Sequence, residues 1–201
     1  MRDTRPRPQD CNAALALADG TVFWGQGVGA VGTAVGEVCF NTATTGYQEI
    51  LTDPSYAGQI IAFTFPHIGN VGTNHQDVET ATPAVRGIVL RIAATEAANW
   101  RATQPLDFWL KSQRLIGICG VDTRRLTRHI RDFGPPNGAI AHDPQARFEI
   151  AELRARAAAW PGLEGMDLAK EVTCRQSYVW TETTWRRECG YGRQEPLASS
   201  S

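Results

Sequence analysis

The stretch Gly36–Asn74, GEVCFNTATTGYQEILTDPSYAGQIIAFTFPHIGNVGTN, decides how this chain is read. Glu37–Thr42 is strand-like, and Gln59–Phe65 is a continuous apolar run with β-branched and aromatic members, the pattern of a buried strand. Between them Thr45–Leu51 has room for one short helical piece, stopped by the turn dipeptide Asp53-Pro54. Ser55 follows that turn, and Pro66–Asn74 forms a second polar loop carrying His67, with His75 just beyond it. A ligand site in this chain is expected to draw on these two loops.

Upstream, Ala13–Ala18 and Thr21–Trp24 flank Asp19-Gly20, a hairpin signal because both turn residues tolerate positive φ. Downstream, Gly87–Ile92 and Leu115–Cys119 read as short buried strands. A helix is expected from Pro105, with Leu106, Trp109 and Leu110 as its apolar stripe; proline suits a first turn, where its missing N–H costs nothing. A second opens at the N-cap Asp122 and buries Thr123, Leu126, Ile130 and Phe133. Gly138–Ala141 reads as a further strand. A third helix is expected to open at Asp143-Pro144, with Ile150, Leu153, Ala157 and Trp160 inward, and Tyr178–Trp185 alternates like a strand. Helices alternate with strands only after residue 87, so the residues point to a mixed α/β domain with an antiparallel and a parallel portion.

A chain of 22.0 kDa folding as one unit buries roughly 70% of its unfolded surface, enough for a core without disulfides. The five cysteines show no zinc-type spacing, and Cys39 and Cys119 sit in apolar runs as small buried hydrophobes, which suits a reducing compartment. A formal net charge of −1 gives no general reason to bind nucleic acid or an anionic membrane. No segment reads as a signal peptide or membrane span, so a cytoplasmic protein is expected.

Several apparent motifs carry less chemistry than they first suggest. Gly27, Gly29 and Gly32 spell G-x-G-x-x-G, with Asp53 at roughly the spacing of a ribose-binding acid. The fingerprint requires its last glycine in a helix facing a pyrophosphate, whereas here TAVGEVCF follows, without helical period. Glycines serving a turn or bulge account for it better. No G-x-S/C-x-G nucleophile elbow occurs, and His67, His75 and Asp77 match no familiar metal-ligand spacing, so no metal site is expected. Arg124, Arg125, Arg128, Arg131 and His129 make the Asp122 helix basic, either as a solvated face or as a surface for an acidic protein. Ser55 is a turn residue on chemistry alone, or a hydroxyl offered to a polar ligand.

Across FNTATTGYQEILTDPSYAGQII and FPHIGNVGTN the sequence resembles the small subunit of glutamine-hydrolysing carbamoyl phosphate synthetase. ADGTVFWGQGVGAVGTAVGEV, GIVLR, GICGVDTRRLTRHIRDFG, NGAI, WPGLEGMDLAKEVT and YVWTETTW continue the resemblance in order. It implies an N-terminal domain of the three-layer β/β/α swivelling type, with mixed antiparallel and parallel sheets, over residues 13–185. Residues 1–12 would be a disordered tail and 186–201 a linker-like tail. GYGRQEP (Gly190–Pro196) resembles the lead into a class I amidotransferase domain. That domain, with its Cys-His-Glu triad, is expected to be absent, leaving a truncated small subunit inactive on its own.

The resemblance further implies a large subunit as partner. That subunit uses ATP and magnesium to make carbamoyl phosphate for arginine and pyrimidine synthesis from glutamine-derived ammonia. No cofactor is expected on this chain. Ser55 occupies the family's glutamine-contacting serine in D-P-S-Y, Asp53 is a possible pocket or interface residue, and glutamine would bind only together with the amidotransferase domain. The alternative is a non-catalytic module that only docks on the large subunit.

Overall fold

The computed structural model describes residues 8–194. Two compact units divide between Leu168 and Ala169. The first contains seven strands: β1 (Ala13–Leu17), β2 (Val22–Gly29), β3 (Gly32–Asn41), β4 (Gln59–Phe63), β5 (Gly87–Val89), β6 (Ile116–Cys119) and β7 (Asn137–His142). They close into a barrel in the order β1-β2-β6-β5-β4-β3-β7. β3, β4, β5 and β6 run parallel to one another, while the β1–β2, β2–β6, β3–β7 and β1–β7 pairs are antiparallel. The expected mixed α/β architecture is therefore the one adopted, and the β/β part of it is a single closed wall.

Strand alternation explains how this wall is packed. Leu15, Leu17, Val38, Ile60, Ala62, Val89, Ile118 and Ile140 fill the interior. Ile61, Phe63 and Ile88 point outward against α1 (Tyr47–Thr52) and α2 (Leu106–Ser112), through Tyr47, Leu51, Leu106, Trp109 and Leu110. On another side, Ala14, Ala16, Ala139 and Ala141 lie under Leu153 and Ala157 of α4 (Ile150–Ala159). The small side chains of β1 and β7 let that helix approach closely. Leu126 and Ile130 of α3 (Thr123–Phe133) join the interior cluster. Each fully buried Leu or Ile in these clusters contributes about 1.5–3 kcal/mol.

The Asp19-Gly20 hairpin forms as read, with Leu17 N donating to Thr21 O at 2.8 Å and Gly20 at φ 95°. The G-x-G-x-x-G glycines lie in β2 and at the start of β3, not at a helix N-terminus. Gly27 is there because a Cβ would fall 1.9 Å from the His142 ring. Of the anticipated tail 1–12, residues 1–7 lie outside the described residues, while Asn12 Oδ1 accepts from Gly27 N at 2.7 Å and Gln26 Nε2 donates to Asp10 O.

Three local expectations are corrected. Asp143 does not cap a helix: its carboxylate accepts from Gln145 N at 2.7 Å, a turn that carries Ala146 to φ 51°, and α4 begins only at Ile150. Such a side-chain-to-backbone bond competes directly with helix formation. Phe133 is 79% exposed: it is the last residue of α3, before the C-cap Gly134, and its ring lies against His129 at 5.1 Å. In the second unit, Tyr178–Trp185 forms no strand; only the isolated bridges Glu182–Arg193 and Arg186–Gly190 occur beside the short α5 (Leu168–Val172). Residues 195–201 lie outside the described residues, and with them the end of GYGRQEP. No helix among the described residues is long and apolar enough to cross a membrane.

Candidate functional site

The D-P-S-Y segment is a rigid turn between α1 and β4. Asp53 leaves the helix in an extended conformation (φ −69°, ψ 119°), and its Oδ1 accepts from Ser55 N at 2.8 Å. Pro54–Tyr56 then make one 3-10 turn, closed by Ala57 N donating to Pro54 O at 3.1 Å. Tyr56 OH accepts from Asn41 Nδ2 at 3.0 Å, which ties the turn to the end of β3. Ser55 is exposed, and its hydroxyl has no hydrogen-bond partner among the described residues. Asp53 thus holds the turn, while Ser55 presents a free donor and acceptor to solvent.

A polar cleft of about 280 Å³ lies against the start of α1, lined by Thr45–Glu49, Val71, Gly72, Asn74, Asp77, Asn99 and Arg101. Gln48, 3% exposed, reaches across to the His67–Asn74 loop and pairs with Asn74 as a strand would. Its Nε2 donates to Asn74 O at 2.6 Å, and its Oε1 accepts from Asn74 N at 2.9 Å. Asn74 Nδ2 donates to Asp77 Oδ2 at 2.7 Å, and Asp77 Oδ1 meets Arg101 at 2.6 Å. Tyr47 OH donates to Gly72 O at 2.7 Å, and burial pushes its phenol well above the ordinary range. Burial also raises the Glu49 carboxyl, with Asp77 and Glu79 adding to the rise; its own backbone N–H and Arg101 oppose it. Sequence reading missed this cluster. The one signal was a glutamine within TGYQEIL, on a helix too short to solvate both its faces.

The remaining candidates do not converge. His67 is exposed and edge-on to Phe65 at 5.7 Å, and His75 is exposed. Among the described residues no group of three or more His, Cys, Asp or Glu is placed to hold a metal ion. His129 Nε2 lies 3.0 Å from Asp19, and His142 Nδ1 lies 3.0 Å from Ala30 O. The Cys39 thiol is pushed up to about 11, first by burial and then by Glu37, so it is protonated at neutral pH and a poor nucleophile. Burial raises the Cys119 thiol as well. Neither of these two thiols is therefore set up as a nucleophile.

Residues 15–140 match the family model of the carbamoyl-phosphate synthase small chain, CPSase domain. The chain is 58% identical over 187 residues to the carbamoyl phosphate synthase small chain of Bradyrhizobium diazoefficiens, covering 91% of this chain and 47% of that protein. The corresponding protein of Ruegeria pomeroyi is 60% identical over 183 residues, covering 91% of this chain and 47% of its own length. That of Agrobacterium fabrum is 58% identical over 197 residues, covering 96% and 49%. The chain thus spans about half the length of the curated relatives it matches.

Proposed function

The chain belongs to the carbamoyl-phosphate synthase small chain family, and we propose that it is the N-terminal part of the small subunit of a glutamine-hydrolysing carbamoyl phosphate synthase. In this role it supports the supply of glutamine-derived ammonia to a cytoplasmic large subunit, which with ATP and magnesium makes carbamoyl phosphate for arginine and pyrimidine synthesis. The observation that carries this reading is the match over residues 15–140, which begins within β1 and ends within β7.

Within that reading, Ser55 offers its hydroxyl to bound glutamine and Asp53 fixes the turn that presents it. One hydroxyl bond contributes about 0.5–1.5 kcal/mol net, far short of holding glutamine alone. The rest of the pocket, and the nucleophile, belong on this reading to an amidotransferase domain, since residues 1–201 contain no G-x-C-x-G. The raised thiols of Cys39 and Cys119 favour a second reading, a module that docks on the large subunit without contributing to glutamine use.

Mixing the chain with a purified large subunit of the Agrobacterium fabrum synthase tests both. Co-elution on size exclusion supports docking. Glutamine-dependent carbamoyl phosphate formation when an amidotransferase domain is supplied in trans, lost in Ser55→Ala, supports the first reading. Co-elution without that dependence leaves only the second, and failure of the folded chain to co-elute overturns both.

A further inference from the structure

The basic face of α3 has no place in the glutamine reading, yet it lines a groove larger than the α1 cleft. Arg124, Arg128 and Arg131 recur at spacings of four and three, so they stand in one stripe along the helix. Arg91, which follows β5, faces them across a groove of about 600 Å³ also lined by Thr64 and Thr127. All four arginines are exposed. Arg124 and Arg128 have no carboxylate within ion-pair distance among the described residues. In a chain with 20 basic and 21 acidic side chains, this is a local concentration of uncompensated positive charge.

The walls are fixed rather than floppy. Thr64 follows β4, Arg91 follows β5 and α3 follows β6, so the groove sits at the carboxyl ends of three parallel strands. Arg124 to Arg131 spans about 10 Å of helix, two turns at roughly 1.5 Å per residue. Asp122 precedes the stripe and lies 3.6 Å from Arg91, and Asp132 follows it and lies 3.5 Å from Arg131. A nucleic-acid backbone running past either end would meet a carboxylate. A short row of protein carboxylates fits between them, and guanidinium groups match carboxylates with two parallel hydrogen bonds.

We propose that the groove between α3 and the ends of β4 and β5 is a docking site for an acidic segment of a partner protein, whose Asp or Glu side chains meet Arg124, Arg128 and Arg131 in register. The probe is a fluorescein-labelled fourteen-residue peptide with Glu at spacings of three and four, titrated into the full chain and followed by fluorescence anisotropy. Saturable one-to-one binding is expected, weakening as salt rises because the contacts are solvent-exposed. Arg124→Glu/Arg128→Glu should weaken it at least about tenfold, as befits the loss of steering and pairing charges. Arg175→Glu/Arg187→Glu, of equal charge change but outside the groove, should leave it unchanged. Circular dichroism of each variant confirms that the fold is kept; should the first pair unfold, Arg124→Gln alone serves in its place. Absence of saturable binding, equal weakening by both pairs, or displacement of the peptide by inorganic phosphate or a single-stranded oligonucleotide at lower concentration would each overturn the proposal.

Discussion

Ser55 contributes nothing through its hydroxyl to the stability of the fold that presents it. Its backbone N–H is held by Asp53, but its hydroxyl is exposed and unbonded among the described residues. Ser55→Ala should therefore leave the urea midpoint unchanged to within about 0.5 kcal/mol. In an assembled synthase it should raise KM for glutamine while sparing the rate with ammonia, and an equal fall in both rates would show that the turn itself had been damaged. Glu49 is the opposite case, a carboxyl that the fold makes harder to ionise, mainly through burial. Its folded pKa lies above its unfolded value, so its contribution to stability is fully present below the unfolded pKa and is lost as pH rises through the folded one. Glu49→Gln removes that loss. The variant should be more stable than the parent at pH 7, with the two denaturation curves converging at about pH 3, where glutamate is protonated in the folded and unfolded chains alike. The Asp-Pro-Ser turn was legible in the residues because its chemistry is local. The Glu49–Asp77–Arg101 grouping was not, because three segments far apart in sequence converge there only once the chain is folded.

Most elements whose signals are local were read well, the Asp143 turn excepted, and those that depend on a partner were not. The Asp122 cap forms, with Asp122 Oδ1 accepting from Arg125 N at 3.0 Å, and Leu106, Trp109 and Leu110 are buried as their spacing requires. Tyr178–Trp185 alternates correctly, but alternation specifies a strand only where another strand offers its edge. Helix α1 shows the same dependence from the other direction. It has six residues, no side-chain cap and a left-handed Gly46 before it, so it cannot persist alone. Tertiary bonds hold it, and Gln48 makes two of them to the backbone of Asn74. Gln48→Ala would leave that part-buried N–H and C=O unpaired, at about 1–3 kcal/mol for such groups. Urea denaturation should show a loss of that size, and hydrogen exchange should show Asn74 protection falling more than that of β4. A uniform loss of protection would mean that the helix is not the latch inferred here.

At the scale of the molecule, the mixture of parallel and antiparallel strands was legible and its closure was not. Closure places β7 between β1 and β3, and β6 beside β2, pairings between strands that turn signals alone do not relate. The glycines of β2 make the β6 pairing possible. A Cβ on Gly25 would sit 2.1 Å from Cys119 O, an obstruction in backbone that no rotamer can relieve. Gly25→Ala should cost about 1–3 kcal/mol, typical of forced overpacking, read as a fall in urea midpoint. The closed barrel is also self-sufficient. All three apolar clusters of the first unit draw on residues between Ala13 and Ala157. A chain ending at Leu168 should therefore unfold in one cooperative transition with the same midpoint as the full chain. Its slope against urea should differ little, since slope follows the surface exposed on unfolding and most of that surface lies in the barrel. Far-UV circular dichroism and the fluorescence of Trp24, Trp100, Trp109 and Trp160 should give coincident curves. A drop in midpoint worth more than about 1 kcal/mol, well above a surface change, would mean that residues 169–201 stabilise the barrel.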